Sequence, residues 1–354
     1  MTIGNQVLSR KSGLRVSQLA LGTGNFGTGW GYGSDFTEAK QIFDHYAEAG
    51  GFFIDTADGY QVGQSEEFVG QLIAKDRDHF VLSSKYTMGA ENDGSISKSG
   101  NSRKNMVRSV DASLKRLNTD HIDLYWAHFT DETTPMEEIM RGFEDLVQAG
   151  KIHYAGLSNF PAWRVARADL LGELRGWSPL VAIQTEYNLV ERSAERDLIP
   201  MADALGLGIM TWSPLAGGLL TGKYRNNEQG RLQGLGGVLV RSEQTNRETA
   251  ILDAIIGIAT EAKTTPANVA IAWLLDQSRN LSSGMVPILG PRTLAQLDAT
   301  LGALDIHLTS DQVNRLTAAS AFVRGTPHDQ IQSLGAKARG GDKIIRPAGL
   351  APAA

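Results

Sequence analysis

The 354-residue sequence predicts an α/β fold, a (β/α)8 TIM barrel that follows an N-terminal β-hairpin and carries extra helices near the C-terminus. Two observations predict it. Strand-like apolar runs alternate with helix-like amphipathic runs along nearly the whole chain, and there are eight strand-like runs, the number that closes such a barrel. The runs are apolar without alternation, which is typical of strands that are covered on both sides.

The strand-like runs come after a short start that resembles a hairpin, around residues 7–8 and 16–17. In chain order they span residues 19–21, 52–54, 80–84, 122–127, 152–157, 180–184, 208–212 and 286–289. We assign residues 1–330 to a single barrel domain. We expect residues 331–354 to form a tail that is weakly ordered or belongs to a loop on the substrate side.

The segments between these runs carry helix signals. Thr134 is predicted to be an N-cap, with Pro135 at the first helical position and Glu137 completing a capping box. Thr265 before Pro266 predicts a second helix start of the same kind.

One interval breaks the alternation of strands and helices. A polar, Gly-rich stretch covers residues 225–248, and two helix-like runs follow it where one would suffice. A loop of this length inside a compact domain is usually functional or mobile, so we predict one of these roles for it.

Composition narrows the possible partners. The net charge is −5 and no run of Lys or Arg stands out, so neither nucleic acid nor an anionic membrane is an expected partner. The chain has 0 cysteines, which excludes disulfides and thiolate catalysis. It begins without the pattern of a signal peptide and contains no apolar run of membrane-spanning length, so we expect a cytoplasmic protein. The sequence leaves open whether it forms an oligomer.

Two glycine-rich motifs resemble nucleotide sites but lack the context. Gly22, Gly24 and Gly27 match G-x-G-x-x-G after a strand, yet no helix signal follows until Thr37, so we interpret the motif as a barrel loop. Residues 217–224 nearly match a Walker A loop, but Tyr224 stands where a hydroxyl must bind Mg²⁺. No H-E-x-x-H pattern is present, and we predict no metal site.

Four polar side chains fall at or near the ends of predicted strands. Asp55, Lys85 and His128 each follow a buried run, and Tyr60 lies in the loop after Asp55. The carboxyl ends of barrel strands face the active site, so these groups are expected to converge and to suit proton transfer onto a carbonyl oxygen. Taken singly, Asp55 and Lys85 could be a structural ion pair, and His128 or Tyr60 could simply pack.

The sequence resembles the aldo-keto reductase family from about residue 21 to residue 316. The motifs that carry the resemblance occur in the family's order. They are residues 50–60 with 65–67 and Gly70, Ser84 with Lys85, residues 122–125 with His128, residues 156–160, Gln184 with Tyr187 and Asn188, and residues 212–215 with 217–223.

The resemblance implies carbonyl reduction with NAD(P)H, with Tyr60 as the general acid. The pKa of a free phenol is about 10, and a neighbouring ammonium lowers the pKa of such a group. Lys85 would supply that charge, Asp55 would hold Lys85, and His128 would hydrogen-bond and orient the carbonyl. The developing oxyanion meets Tyr60 and His128 directly, so no metal is needed.

The resemblance also implies which residues bind the coenzyme. Ser158, Asn159 and Gln184 would hold the nicotinamide carboxamide, and the ring of Trp212 would stack on the nicotinamide. Hydrogen bonding at the barrel end and a core Trp are the structural alternatives. The other predicted coenzyme residues are Gly22, Thr23, Gly24 and Asp55, and, after Trp212, Ser213, Pro214, Leu215, Gly217, Leu219 and Lys223.

A second coenzyme segment spans residues 288–296 and includes Gly290. A helix start after a strand is an anion site, and Arg292 could grip a 2′-phosphate, so we predict NADP(H) in preference to NAD(H). Gln296 is a predicted coenzyme residue too, although with Thr293 it also fits a capping box. One departure is that residues 299–300 are Ala-Thr, where related sequences often carry the acidic residue and Asn that hold the adenine.

Aromatic and apolar side chains are predicted to wall the substrate pocket next to Tyr60 and His128. They lie on loops above the same barrel face and are Trp30, Tyr32, Met88 and Phe129. Such a wall suits sugars, steroids and aryl aldehydes about equally, and loop aromatics that only cover the barrel are nearly as common.

Three functions compete. The first is an NADP(H)-dependent oxidoreductase that interconverts an aldehyde or ketone and its alcohol. The second is a cofactor-binding regulatory or sensor subunit like the potassium-channel β subunits of the same family. The third is a lyase or isomerase that uses Lys85 in a Schiff base, which a charged pair with Asp55 would oppose.

Overall fold

The computed structural model describes residues 2–90, 95–226, 241–338 and 340–341. The strands are β1 Asn5–Val7, β2 Arg15–Ser17, β3 Ala20–Gly22, β4 Phe53–Asp55, β5 Val81–Tyr86, β6 Ile122–Ala127, β7 Ile152–Ser158, β8 Leu180–Glu186, β9 Gly208–Trp212 and β10 Met285–Leu289. The helices are α1 Phe36–Glu48, α2 Gln64–Ile73, α3 Arg103–Leu117, α4 Met136–Gln148, α5 Ala162–Arg175, α6 Leu198–Leu205, α7 Asn246–Glu261, α8 Pro266–Ser278, α9 Leu294–Leu301, α10 Ser310–Ala319 and α11 His328–Ala338.

Eight parallel strands close into a barrel in the order β10-β3-β4-β5-β6-β7-β8-β9. The eight correspond to the eight predicted runs, so the (β/α)8 fold class is confirmed. β1 and β2 form the expected antiparallel hairpin. No helix in the described ranges is long and apolar enough to cross a membrane.

The hairpin closes the amino-terminal end of the barrel. Leu8, Leu14 and Val16 are buried in one cluster with inward-facing strand residues such as Phe53 and Trp126. The backbone carbonyl of Leu8 also accepts a hydrogen bond from Gly284, which directly precedes β10. The opposite end, where the strands terminate, is therefore the end that can hold a ligand.

A second apolar cluster lies between the strands and the helices. α4 contributes the face that its 3.6-residue period predicts. The buried apolar residues of that face are Met136, Ile139, Met140, Phe143 and Leu146.

Some predicted helix boundaries need correction. α4 begins at Met136 with Pro135 as its N-cap, not at Pro135 with Thr134 as cap. The Thr134 hydroxyl donates instead to Asp131, which leaves Pro135 in an extended conformation. Thr265 caps α8 as predicted, accepting from the Asn268 amide.

Two segments that the sequence singled out, residues 225–248 and the C-terminal tail, are described in part. Within the polar stretch 225–248, residues 227–240 lie outside the described ranges, and Asn246 already begins α7 behind the N-cap Thr245. Residues 331–338, expected to belong to a tail that is weakly ordered or part of a substrate-side loop, are helical in α11. The remainder of the predicted tail, apart from residues 340–341, lies outside the description.

Candidate active site

Four predicted catalytic side chains meet at the carboxyl end of the barrel. Asp55 is the last residue of β4, Lys85 is the penultimate residue of β5, and His128 directly follows β6. Tyr60 begins a short 3-10 turn, Tyr60–Gly63, after β4. The strand ends thus bring together the groups that the sequence predicted to converge.

Lys85 is the buried centre of this group. Its Nζ lies 2.6 Å from Asp55 Oδ2, 2.7 Å from the Thr56 carbonyl and 3.2 Å from Tyr60 Oη. Burial by itself lowers the pKa of Lys85, but the charge of Asp55 and the contact with Tyr60 outweigh it and hold that pKa above its usual value. Lys85 is therefore an ammonium at neutral pH.

His128 stands on the other side of Tyr60. The two ring centroids are 5.8 Å apart in an edge-to-face arrangement. Burial, and then the charge of Lys85, hold the pKa of His128 well below its usual value, so the imidazole is neutral. Its Nδ1 is buried and has no hydrogen-bond partner among the described residues, which leaves this atom for a ligand or water.

The residues predicted to wall the substrate pocket lie in different places. Trp30 is 41% exposed and meets the Tyr60 ring edge-on with centroids 6.1 Å apart, and Phe129 lies against His128. Met88 is exposed on the loop after β5. The ring of Tyr32 lies under the Arg292 guanidinium, 4.9 Å away, and so is beside the predicted phosphate residue.

The predicted carboxamide residues form one connected group. Asn159 donates from its side-chain amide to the His128 carbonyl and to Ser158 Oγ, and accepts from the Trp212 indole N–H. Gln184 donates to Asp55 Oδ1 over 3.1 Å. Within the described ranges, the Ser158 hydroxyl hydrogen and the Gln184 carbonyl oxygen bond no other protein group, so a donor and an acceptor remain for a carboxamide.

The predicted pyrophosphate segment follows β9. Ser213 and Ala216 have positive φ angles of 54° and 48°, and Gly217 and Gly218 have φ angles of 68° and 97°. A Cβ at Gly218 would lie 2.9 Å from Lys223, so glycine lets this side chain approach the turn. Pro214, Leu215 and Leu219 lie within the same turn.

The predicted phosphate residue Arg292 precedes α9. Its Nε is buried without a hydrogen-bond partner in the described part of the chain. Its backbone N–H donates to Gln296 Oε1 over 2.8 Å, so Gln296 fixes the helix start. A Cβ at Gly290 would meet nothing within 4 Å, so the space beside this residue is open.

The predicted coenzyme residues at the end of β3 and directly after it, Gly22, Thr23 and Gly24, take part in packing. A Cβ at Gly22 would lie 2.6 Å from Ile288, and Gly24 lies against the Tyr60 ring. The Thr23 hydroxyl donates to the Asp55 carbonyl. Their predicted coenzyme contacts remain predictions.

Gln61 was missed by sequence reasoning. It has a φ of 52°, rare for a residue other than glycine, and its side chain is buried. Its amide donates to the carbonyls of Gly24 and Tyr32 and accepts from the Trp30 N–H, each over 3.0 Å. Gln61 directly follows Tyr60, so these three bonds hold the loop that carries Trp30 beside Tyr60. No local sequence pattern predicts this role.

A buried carboxyl pair was also missed. Glu66 accepts from Ser84 and from Arg116, whereas Asp58 Oδ1 has no partner among the described residues. Burial, and then the charge of Glu66, raise the pKa of Asp58 to about 7. Only its position between Asp55 and Tyr60 could have drawn attention to it.

Residues 18–321 match the family model described as "Aldo/keto reductase family". The chain belongs to the aldo-keto reductase family. The match includes all four strand-end residues and the whole barrel, so the geometry above belongs to an aldo-keto reductase.

Curated relatives of this aldo-keto reductase are named as oxidoreductases. An uncharacterized oxidoreductase, YrpG, of Bacillus subtilis is 37% identical over 86% of this chain and 93% of its own. Aryl-alcohol dehydrogenase [NADP(+)] of Phanerodontia chrysosporium is 36% identical over 89% and 86% of the two chains. Norsolorinic acid reductase of Aspergillus flavus is 33% identical over 91% and 82%. Carbonyl and alcohol oxidoreduction is the chemistry that this family membership supports.

Proposed function

We propose that this protein is an NADP(H)-dependent reductase that converts an aldehyde or ketone into its alcohol, and the reverse, with Tyr60 as the general acid and base. One observation carries the proposal. Tyr60 Oη is 3.2 Å from the Nζ of a buried lysine whose charge Asp55 maintains over 2.6 Å.

In this mechanism the proton moves at Tyr60 Oη. The phenol donates it to the substrate oxygen, and the ammonium of Lys85 stabilises the phenolate that forms. The positive charge of Lys85 disfavours the alternative of a lyase or isomerase that forms a Schiff base, since a nucleophilic lysine must be a free amine. Asp55 acts through Lys85 by holding it in place.

His128 has a different role from Tyr60. A neutral imidazole offers one N–H donor and no charge, so it can hydrogen-bond the carbonyl oxygen without competing as the acid. Its ring lies edge-to-face with that of Tyr60, with centroids 5.8 Å apart, so a substrate oxygen bound between the two rings would be close to both.

The residues present fit a nicotinamide coenzyme. When bound, its reduced form supplies the hydride to the carbonyl carbon. Ser158 and Gln184 would bind the carboxamide of the nicotinamide. Trp212, whose indole N–H is bonded to Asn159, would stack on the nicotinamide ring and fix its plane. The Nε of Arg292, buried and without a hydrogen-bond partner among the described residues, supports a phosphate at that position, and with it NADP(H) over NAD(H).

The substrate class we propose is aryl aldehydes and ketones. Two aromatic rings, Trp30 and Phe129, flank the Tyr60–His128 pair and remain partly exposed. The relatives named for aryl alcohols and for norsolorinic acid agree with this class. Offset or edge-on ring contacts favour an aromatic over a saturated ring.

A matched pair of substrates tests the function. We expect NADPH consumption with benzaldehyde, with kcat/KM roughly tenfold above that for cyclohexanecarbaldehyde, because each aromatic contact is worth about 0.5–1.5 kcal/mol. Absorbance of the reduced nicotinamide reports it. NADPH binding without turnover of any carbonyl or alcohol would contradict the proposal and favour the regulatory alternative.

A further inference from the structure

Two histidines and a carboxylate gather at the amino-terminal end of the barrel, away from the site above. His121 precedes β6, Asp123 is its second residue, and His153 is the second residue of β7. Alternation along β6 puts His121 and Asp123 on one side, and the pairing Ile122↔Ile152 places His153 beside Asp123. One possible ligand atom from each residue lies within 4.8 Å of the others.

The sequence predicted no metal site, but we propose that His121, Asp123 and His153 bind a divalent transition-metal ion, Zn²⁺ by preference. Two imidazole nitrogens and one carboxylate oxygen are a ligand set that zinc accepts, whereas Ca²⁺ and Mg²⁺ require oxygen ligands throughout. A water in the remaining position would complete four-coordination.

The geometry already approaches a metal site. Ligand bonds of about 2.0–2.2 Å place two ligands of a tetrahedral ion about 3.4 Å apart. His153 Nδ1 and Asp123 Oδ1 are already 3.6 Å apart. The two imidazole rings are stacked, with planes 25° apart and centroids 4.5 Å apart, so one ring has to turn before both can ligate one ion. The side chain of His153 is about half exposed. We therefore expect its rotation alone to bring the ligand atoms of His153 and His121 to the spacing that one ion requires.

Neighbouring groups orient two of the ligands. Asp123 Oδ2 accepts from Arg77 and from the Leu82 amide, which fixes the carboxylate and leaves Oδ1 for the ion. Asp120 Oδ1 lies 2.7 Å from His121 Nδ1. A proton on Nδ1 then makes a hydrogen bond to the carboxylate and leaves the lone pair of Nε2 free, the arrangement that orients metal-binding histidines.

The ion would be remote from the reaction. His121 and His128 stand at opposite ends of β6, roughly 20 Å apart along an extended strand. We therefore expect metal binding to stabilise the start of β6 and β7 and to leave NADPH-dependent turnover unchanged.

Zinc titration of the full chain tests the proposal. The protein is prepared without a polyhistidine tag, stripped with a chelator and titrated with Zn²⁺ by calorimetry. We expect one ion per chain with a micromolar or tighter dissociation constant. His121→Ala and His153→Ala should each weaken it at least tenfold, and Asp120→Asn roughly tenfold.

The matched control is His45→Ala. His45 is a partly exposed histidine paired with Asp298 outside the cluster, and its variant should bind zinc as the parent does. Absence of binding, or binding that survives in both His121→Ala and His153→Ala, would overturn the proposal. Circular dichroism and thermal melting of each variant show that the fold is kept.

Discussion

Among the single side chains of the site, Asp55 links three strands of the barrel. Its carboxylate accepts from Lys85, Ser83 and Gln184, and so ties β4 to β5 and β8. A buried ammonium without such a partner would be strongly destabilising, because desolvation disfavours its charge. The positions of Asp55 and Lys85 were predictable because each follows an apolar run of the sequence, whereas their contacts with Ser83 and Gln184 depend on strand pairing.

Arg292 should decide the choice of coenzyme. Arg292→Ala is expected to weaken NADPH by about 1.5–3 kcal/mol, the range for a hydrogen bond to a charged group. This is roughly 10- to 150-fold in the dissociation constant. NADH lacks the 2′-phosphate and serves as the control that should be nearly unaffected. Titration of both coenzymes by tryptophan fluorescence measures it, and an equal loss for both would count against the phosphate contact.

Ionisation of Asp58 should lower the free energy of unfolding as the pH rises. Its pKa of about 7 in the folded chain exceeds the ordinary value of 3.8, so the folded state holds a proton that the unfolded state has released. The free energy of unfolding therefore decreases from about pH 4 to pH 7 and then levels off. Asp58→Asn should remove this decrease and stabilise the fold by about 1–3 kcal/mol at pH 8.

Urea unfolding at pH 5 and pH 8 checks this expectation. The difference between Asp58→Asn and the parent should be small at pH 5 and larger at pH 8. A difference that is the same at both values, or larger at pH 5, would show that the Asp58 carboxyl does not titrate as expected.

At the scale of elements, the strands were predictable and the loops above them were not. The runs of β5 and β6 are apolar and unbroken, so their type and order follow from the sequence. α4 begins one residue later than predicted because the Thr134 hydroxyl bonds Asp131 and does not cap the helix. The capping pattern does not reveal this local competition. The fixing of the Trp30 loop by Gln61 depends on a positive φ that favours glycine.

Gln61→Gly should loosen the wall of the substrate pocket. The variant loses three hydrogen bonds of about 0.5–1.5 kcal/mol each, while relief of the positive φ returns about 1 kcal/mol. We expect KM for an aryl aldehyde to rise roughly tenfold and kcat to change little, since Tyr60 and Lys85 keep their contact.

Val62→Gly is the matched control for this change. Val62 is the next residue, has a φ of 60° and is half exposed. Its variant removes the same backbone strain without the three bonds and should leave KM near the parent value. Equal KM values for the two glycine variants, measured by steady-state kinetics, would contradict the role of Gln61.

At the scale of the whole molecule, the barrel is what turns separate residues into a site. Asp55, Lys85 and His128 are spread over more than seventy positions, and parallel strands bring them to one end. The sequence therefore predicted the fold and the catalytic group, whose members follow from strand ends and family motifs. It could not predict that Tyr32 lies under Arg292 or that Asp58 Oδ1 has no partner among the described residues, since these depend on how loops and helices pack over the barrel.

The most direct test of the account is the turnover of Tyr60→Phe. The variant keeps the ring and loses only the hydroxyl, so folding and NADPH binding should match the parent, while carbonyl reduction should fall roughly 10²–10⁴-fold, the usual contribution of a general acid. Tyr154→Phe, in β7, is the control that should stay active. Near-normal turnover of folded, NADPH-saturated Tyr60→Phe would contradict the central claim that Tyr60 supplies the proton.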